Sequence, residues 1–129
     1  MTDRTLLTVA ATLELATGLA LIASPSVVVH LLITTEVFGA GLFLGRLCGI
    51  ALLSLTVACW PDTSRAATSS HVRSIQAMLL YNSLAAVFLA YLPIGLDLSG
   101  VCLWPAIIVH LGLALCFAQA AWKMRALSA

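Results

Sequence analysis

Four long runs of apolar residues, separated by short segments that contain proline, glycine and polar residues, make up most of the chain. A helix needs about 20 mainly apolar residues to cross the hydrocarbon core of a bilayer, and each run has that length. The pattern therefore predicts transmembrane helices at residues 5–24, 37–60, 72–92 and 101–122. We expect residues 1–129 to form a single integral membrane domain, an all-α antiparallel bundle of four helices with no separate soluble domain.

The segments between the runs carry residues that end helices. Pro25 follows the first run, Pro61 follows the second, and Pro93 with Gly95 follows the third. The connection at residues 26–35 is itself apolar but too short to span a bilayer. We expect this connection to lie in the membrane interface as a short helix, or to pack against a partner.

The positive residues predict an orientation. Segments rich in Lys and Arg remain on the cytoplasmic side, and the two outer connections, which carry Glu36 and Asp97, have neither. The positive residues of the other segments are Arg4, Arg65, Arg73, Lys123 and Arg125. Both termini are therefore predicted to be cytoplasmic, in a multi-pass protein of the cell membrane, which is the inner membrane in a bacterium.

Aromatic residues agree with these depths, because amphipathic rings prefer the two membrane surfaces. Trp60 and Trp122 are predicted at the inner surface. Tyr91 and Trp104 are predicted at the outer surface.

Composition supports a membrane protein and excludes a nucleic-acid-binding one. Hydrophobic residues make up 62% of the chain and charged residues 9%, with a mean hydropathy of +1.11, whereas soluble domains are roughly half apolar and a quarter charged. The net charge is +1 and the six Lys and Arg residues are scattered, so no basic face is available for nucleic acid. The first run begins like a signal peptide, but Glu14 and the lack of a small-residue cleavage site predict a retained span.

Each predicted span contributes one polar residue near the middle of the bilayer: Glu14, Arg46, Asn82 and His110. With a rise of about 1.5 Å per residue, all four lie within about 4 Å of the midplane. A charge at this depth costs at least about 2.5 to 3.5 kcal/mol, so such residues face the protein interior and find partners. We expect Glu14 and Arg46 to pair through two parallel hydrogen bonds, and Asn82 and His110 to complete a cluster.

Two interpretations of this cluster remain open from the sequence. The cluster is a polar pocket for a small ligand, a quinone-like head group or a proton, with Glu14 or His110 titrating. Alternatively, it is a structural clamp that holds four helices in register. No residue is assigned a catalytic role, because general acid–base chemistry needs a geometry that the sequence does not define; an enzyme is therefore not the favoured class.

Small residues predict close helix packing. In the first span they share the helix face of Glu14, at Ala10, Ala11, Thr17 and Gly18. In the second span Gly41, Gly45 and Gly49 form two overlapping GxxxG motifs, which allow close approach of another backbone. This approach is either packing within the chain, or contact with a second copy or another membrane subunit.

Histidine and cysteine positions favour no metal or haem centre. His30, His110 and His71 fall at the outer surface, the middle and the inner surface, so two of them cannot flank one haem. No compact set of metal ligands lies at one depth. We therefore predict no cofactor other than a bound lipid or quinone. The cysteines, which show no CxxC spacing and are expected to pack as small apolar residues, are Cys48, Cys59, Cys102 and Cys116.

Four short spans with Glu14 in the first resemble the small multidrug resistance transporters, and Ala90-Tyr91-Leu92-Pro93-Ile94-Gly95 looks like a tract of that family. The resemblance implies exchange of protons for cationic drugs at Glu14. The chain departs from the family pattern because this tract follows the third span, not the second, and because Arg46 would compete with a cationic substrate.

The pattern of spans over the whole chain also looks like the small four-helix DoxX-like membrane proteins. The run from Gly45 to Leu53, and Leu80-Tyr81-Asn82 in the third span, carry this resemblance. Some members of this group are accessory subunits of quinone-linked oxidoreductases, and the resemblance includes such a role among those it implies. The shared depth of the four polar residues and the apolar segment at residues 26–35 motivate the preferred hypothesis, which is a non-enzymatic subunit of a membrane complex or a protein that binds a lipid or quinone-like ligand. The alternative is a proton-coupled transporter.

Overall fold

A computed structural model of the protein describes residues 2–61 and 68–128 and shows an all-α architecture. In this part of the chain the helices are α1 (Asp3–Ala23), α2 (Pro25–Ile33), α3 (Ala40–Cys59), α4 (Thr68–Gly95) and α5 (Leu103–Ser128). Four of them, all except α2, are long and apolar enough to cross a membrane. The predicted all-α class is therefore confirmed, as is the presence of four helices long and apolar enough to cross a membrane.

The helix ends follow from local sequence. The Thr2 side chain accepts a hydrogen bond from the Thr5 amide at the start of α1, which satisfies one of the free N–H groups of the first turn. Pro25 ends α1 and occupies the first turn of α2, where its missing N–H costs nothing. Thr34, in the left-handed conformation with φ of 53°, ends α2.

Helix α4 continues beyond the point where the sequence predicts a break. Pro93 lies inside α4, which ends at Gly95, three residues after the predicted span. Pro93 removes one intrahelical hydrogen bond, and only two residues of α4 follow it. The amides of Leu96 and Leu98 both donate to the carbonyl of Leu92 and close the helix end.

The helices pack mainly as two pairs, α1 with α3 and α4 with α5. An apolar cluster joins the two pairs at one end of the molecule and includes Leu7 of α1, Cys59 of α3, Ile75 of α4 and Phe117 of α5. This cluster brings together the beginning of α1, the end of α3, the beginning of α4 and the end of α5. A second cluster at the opposite end of α4 and α5 contains Leu92, Leu103 and Ile107.

The outer surface of the bundle is apolar. Large hydrophobic side chains are exposed on all four long helices, including Leu19, Leu47, Val87 and Ile108. Soluble monomers rarely expose contiguous apolar patches above a few hundred Å². This apolar surface is therefore suited to contact with lipid.

Two glycines let α1 and α3 touch backbone to backbone. A Cβ atom on Gly49 would lie 2.6 Å from the Gly18 carbonyl oxygen, and a Cβ atom on Gly18 would lie 2.9 Å from that of Gly49. Gly45 packs against Pro25, where a Cβ atom would come within 2.7 Å of the proline Cβ, and Gly41 lies against Val37. Within the chain, the GxxxG motifs thus serve intramolecular packing at Gly45 and Gly49.

The predicted apolar connection at residues 26–35 forms α2. The end of α2 is hydrogen-bonded to the segment that precedes α5. The Cys102 amide donates to the Leu31 carbonyl at 2.9 Å, and the Thr34 hydroxyl donates to the Ser99 carbonyl at 2.8 Å. Gly100 permits this contact, because a Cβ atom there would lie 2.7 Å from the Leu32 carbonyl carbon.

Gly100→Ala is therefore expected to separate α2 from the segment before α5. The added methyl group displaces the backbone of α2 and breaks the hydrogen bond from the Cys102 amide. Hydrogen exchange should detect faster exchange at this amide in the variant, while amides in the middle of α4 keep their protection. Unchanged protection at Cys102 would contradict this assignment of Gly100.

Candidate functional site

Glu14 is buried in the interior of the bundle. It lies close to the middle of α1 and is 3% exposed. The small side chains predicted to share its face are buried at Ala10, Ala11 and Gly18, whereas Thr17 is exposed. The Tyr81 hydroxyl of α4 faces the Glu14 carboxyl. A polar contact in the interior thus links the α1–α3 pair to the α4–α5 pair.

Asn82 and His110 form a second polar contact, between α4 and α5. The Asn82 amide nitrogen donates to the Met78 carbonyl at 2.9 Å. The Asn82 amide oxygen lies 2.9 Å from Nδ1 of His110. Asn82 is fully buried and His110 is half-buried, so the hydrogen bonds of Asn82 are formed entirely with protein groups.

A ring contact joins these two polar contacts. The Tyr81 and His110 rings pack edge to face, with centroids 5.7 Å apart and planes at 76°, a favoured geometry for a ring pair. Glu14, Tyr81, Asn82 and His110 therefore form one continuous set across three helices, which we call the polar network. Three of its four members were predicted from the sequence.

Tyr81 is the member that sequence reasoning missed. Buried tyrosine hydroxyls usually find a hydrogen-bond partner, and Tyr81 lies inside a span, away from the membrane surfaces where tyrosine is common. The position of Tyr81 inside a span, next to Asn82, could therefore have identified it as a member of the network.

The structure does not bring Arg46 to the polar network. Arg46 is exposed, and its Nε donates to the Ile22 carbonyl at 3.3 Å. No ion pair between Arg46 and Glu14 occurs in residues 2–61, which contain both. Side chains tilt toward the N-terminus of their helix, and this direction takes Arg46 toward the end of α1, eight residues or about 12 Å from Glu14.

Arg46 instead contacts a helix end. The last carbonyls of a helix lack intrahelical partners and carry partial negative charge, which a cation stabilises. Ile22 is the second-last residue of α1. The contact therefore explains the position of Arg46 as a cap of α1, and the residue that faces Glu14 is Tyr81 instead of the predicted Arg46.

The other candidate residues are dispersed. In the described ranges, no group of three or more His, Cys, Asp or Glu side chains could hold a metal ion. Cys59 is buried in the apolar cluster, whereas the other cysteines, at positions 48, 102 and 116, are exposed. Arg65, one of the residues used to predict orientation, lies outside the described residues.

An open groove of about 460 Å³ lies beside α2 and the segment that leads to α3. Its lining is mainly apolar and includes His30 and Glu36, and the side chains of Val27, Leu31 and Phe38 are exposed. The groove contains none of the polar-network residues.

The fold and the site define the chain as a small polytopic membrane protein with a polar network in its interior. Comparison with protein-family models, with curated proteins and with solved structures finds no match. The resemblances to the small multidrug resistance and DoxX-like proteins therefore rest on the sequence patterns alone.

Proposed function

We propose that the protein is a four-span antiparallel bundle of the cell membrane with both termini in the cytoplasm. The apolar cluster that contains Leu7, Cys59, Ile75 and Phe117 supports the antiparallel arrangement, because it joins the beginnings of α1 and α4 to the ends of α3 and α5. Arg4, Arg73, Lys123 and Arg125 lie toward this same end of the helices. The positive-inside rule then assigns this end to the cytoplasm.

Within this arrangement we propose a non-enzymatic role: the protein binds a lipid or quinone-like molecule beside the polar network, as a carrier or as a subunit of a membrane complex. The observation that carries the proposal is His110. One ring nitrogen is held by the buried Asn82, and the other, Nε2, has no hydrogen-bond partner among residues 2–61 and 68–128. A polar atom without a partner at bilayer depth is costly, and a bound head group would satisfy it.

His110→Phe tests this proposal, because phenylalanine retains an aromatic ring and removes both nitrogens. We expect native mass spectrometry of gently extracted protein to detect a retained small molecule in the wild type and its loss in the variant. His30→Phe is the matched control, since His30 lies on α2 outside the polar network, and it should retain the molecule. Absence of any adduct from the wild type, or equal retention by all three proteins, would overturn the proposal.

A second candidate function is proton-coupled transport, favoured by the position of Glu14. Its carboxyl is buried in a span with a neutral hydrogen-bond donor, Tyr81, and forms no ion pair with Arg46 in the described residues. A buried carboxyl of this kind is typical of groups that take up and release protons in transporters.

Glu14→Gln distinguishes this candidate, because glutamine keeps the size and hydrogen bonding of glutamate without a titratable proton. If the protein couples protons to cations, a tetraphenylphosphonium gradient across proteoliposomes should drive proton flux that is lost in this variant. The flux should survive Glu36→Gln, because Glu36 lies between α2 and α3, outside the four long helices. Flux unchanged by Glu14→Gln would exclude a role for this residue in coupling.

A further inference from the structure

The hydrogen bonds of Asn82 determine whether Nε2 of His110 is a donor or an acceptor, because these bonds have only one consistent direction. The Met78 carbonyl is an acceptor only, so the group of Asn82 that faces it must be the NH₂ group. The amide oxygen of Asn82 must then be the group that faces His110.

This direction determines where the imidazole proton lies. An amide oxygen accepts hydrogen bonds and cannot donate one. Nδ1 of His110, 2.9 Å from that oxygen, must therefore carry a hydrogen. A charged ring is costly inside a span, and a neutral imidazole has one N–H group, so Nε2 carries a lone pair and acts as a hydrogen-bond acceptor.

Nε2 is also accessible. Every fully buried side-chain nitrogen and oxygen in the described residues has a hydrogen-bond partner, and Nε2 has none there. His110 is half-buried, so Nε2 must lie at the protein surface. His110 is the eighth residue of α5, about 10 Å along the helix, and water is absent from the hydrocarbon core at that depth.

We infer that the molecule bound at His110 is an apolar compound with a hydroxyl head group, such as a quinol or a hydroxylated lipid, and not an oxidised quinone. The hydroxyl hydrogen donates to Nε2. A quinone carbonyl oxygen is an acceptor only, so it cannot form a hydrogen bond with Nε2 and its lone pairs would repel that of Nε2. This inference rests on the proposed ligand-binding function and identifies its ligand class.

The ring of His110 is fixed well enough for this discrimination. Asn82, itself fully buried, holds Nδ1. Tyr81 packs edge to face against the ring, and its own hydroxyl faces Glu14. A 180° flip of the imidazole would put Cδ2 in the place of Nδ1 and break the contact with Asn82, so Nε2 keeps both its position and its acceptor character.

The tautomer is tested first, without any ligand. The full chain with ¹⁵N-labelled histidine is placed in phospholipid nanodiscs, and nitrogen NMR identifies which ring nitrogen is protonated. The His110 signals are assigned by their loss in His110→Phe. We expect a protonated Nδ1 and an unprotonated Nε2, and a mixture of tautomers in Asn82→Ala. A proton on Nε2 in the wild type would overturn the inference whatever the protein binds.

Binding is tested with decylubiquinol and decylubiquinone, which share a tail and differ in their oxygen groups. Native mass spectrometry at equal mole fractions in the nanodisc measures occupancy. We expect at least about tenfold tighter binding of the quinol, equivalent to about one hydrogen bond, and loss of the difference in His110→Phe. His30→Phe should retain it.

Farnesol, an apolar alcohol without redox chemistry, distinguishes the two sources of the hydroxyl group. Binding of decylubiquinol alone identifies a quinol, whereas comparable binding of farnesol through His110 identifies a hydroxylated lipid; both support the inferred chemistry. Equal or tighter binding of decylubiquinone overturns the inference but leaves the proposed binding function intact. Absence of binding by all three compounds overturns both.

Discussion

Replacing Gly49 with alanine is expected to destabilise the protein by about 1 to 3 kcal/mol, the usual cost of overpacking a close contact. The added Cβ atom would lie 2.6 Å from the Gly18 carbonyl oxygen and 3.1 Å from the Ile22 nitrogen. Both are backbone atoms of α1, so no flexible side chain can move aside. The two helices must separate, and the packing of α1 on α3 is weakened along its length.

Gly112→Ala is the matched control for this effect. Gly112 lies in α5, and a Cβ atom there would meet nothing within 4 Å. Alanine is the better helix former by about 0.5 to 1 kcal/mol, so this variant should be as stable as the wild type or slightly more stable. The free energy of unfolding, measured by SDS titration in mixed micelles, gives the comparison. Equal stability of the Gly49 and Gly112 variants would contradict the backbone contact.

Asn82→Ala is expected to lower the free energy of unfolding by about 1 to 2 kcal/mol, in the upper range measured for hydrogen bonds between membrane helices. The substitution removes both hydrogen bonds of a fully buried side chain. It also leaves the Nδ1–H group of His110 without an acceptor. The same unfolding measurement would report the loss as a weaker attachment of α5 to α4.

Gln76→Ala provides the control on the same helix. Gln76 is an exposed residue of α4, and exposed substitutions usually change stability by less than about 0.5 kcal/mol. If Asn82→Ala were no more destabilising than Gln76→Ala, the contact between Asn82 and His110 would not contribute to the bundle.

The four long helices could be predicted from the sequence because the length and apolar character of a span follow directly from bilayer thickness. The exact ends were less predictable. Pro93 is compatible with the last turn of a helix, so α4 continues to Gly95. The start of α4 at Thr68 and the end of α5 at Ser128 lie beyond the predicted spans, because a helix does not have to end at the membrane surface.

The sequence predicts the level in the membrane at which the polar residues lie, but not which side chains contact each other. The rise of a helix gives the level of Glu14, Asn82 and His110, whereas partners depend on which helices are adjacent and on the direction of each side chain. Charge complementarity favoured Arg46 as the partner of Glu14. The tilt of Arg46 toward the start of α3 directs it to Ile22 instead, and the uncharged Tyr81 takes its place.

The topology of the four spans is tested most directly by labelling single cysteines in the full chain, with the native cysteines replaced by serine. A membrane-impermeant maleimide applied to intact cells is predicted to label Thr35→Cys and Ser99→Cys. Thr2→Cys and Ala126→Cys should be labelled only after lysis. Labelling of all four positions in intact cells would contradict the four spans, and the reverse pattern would contradict the orientation.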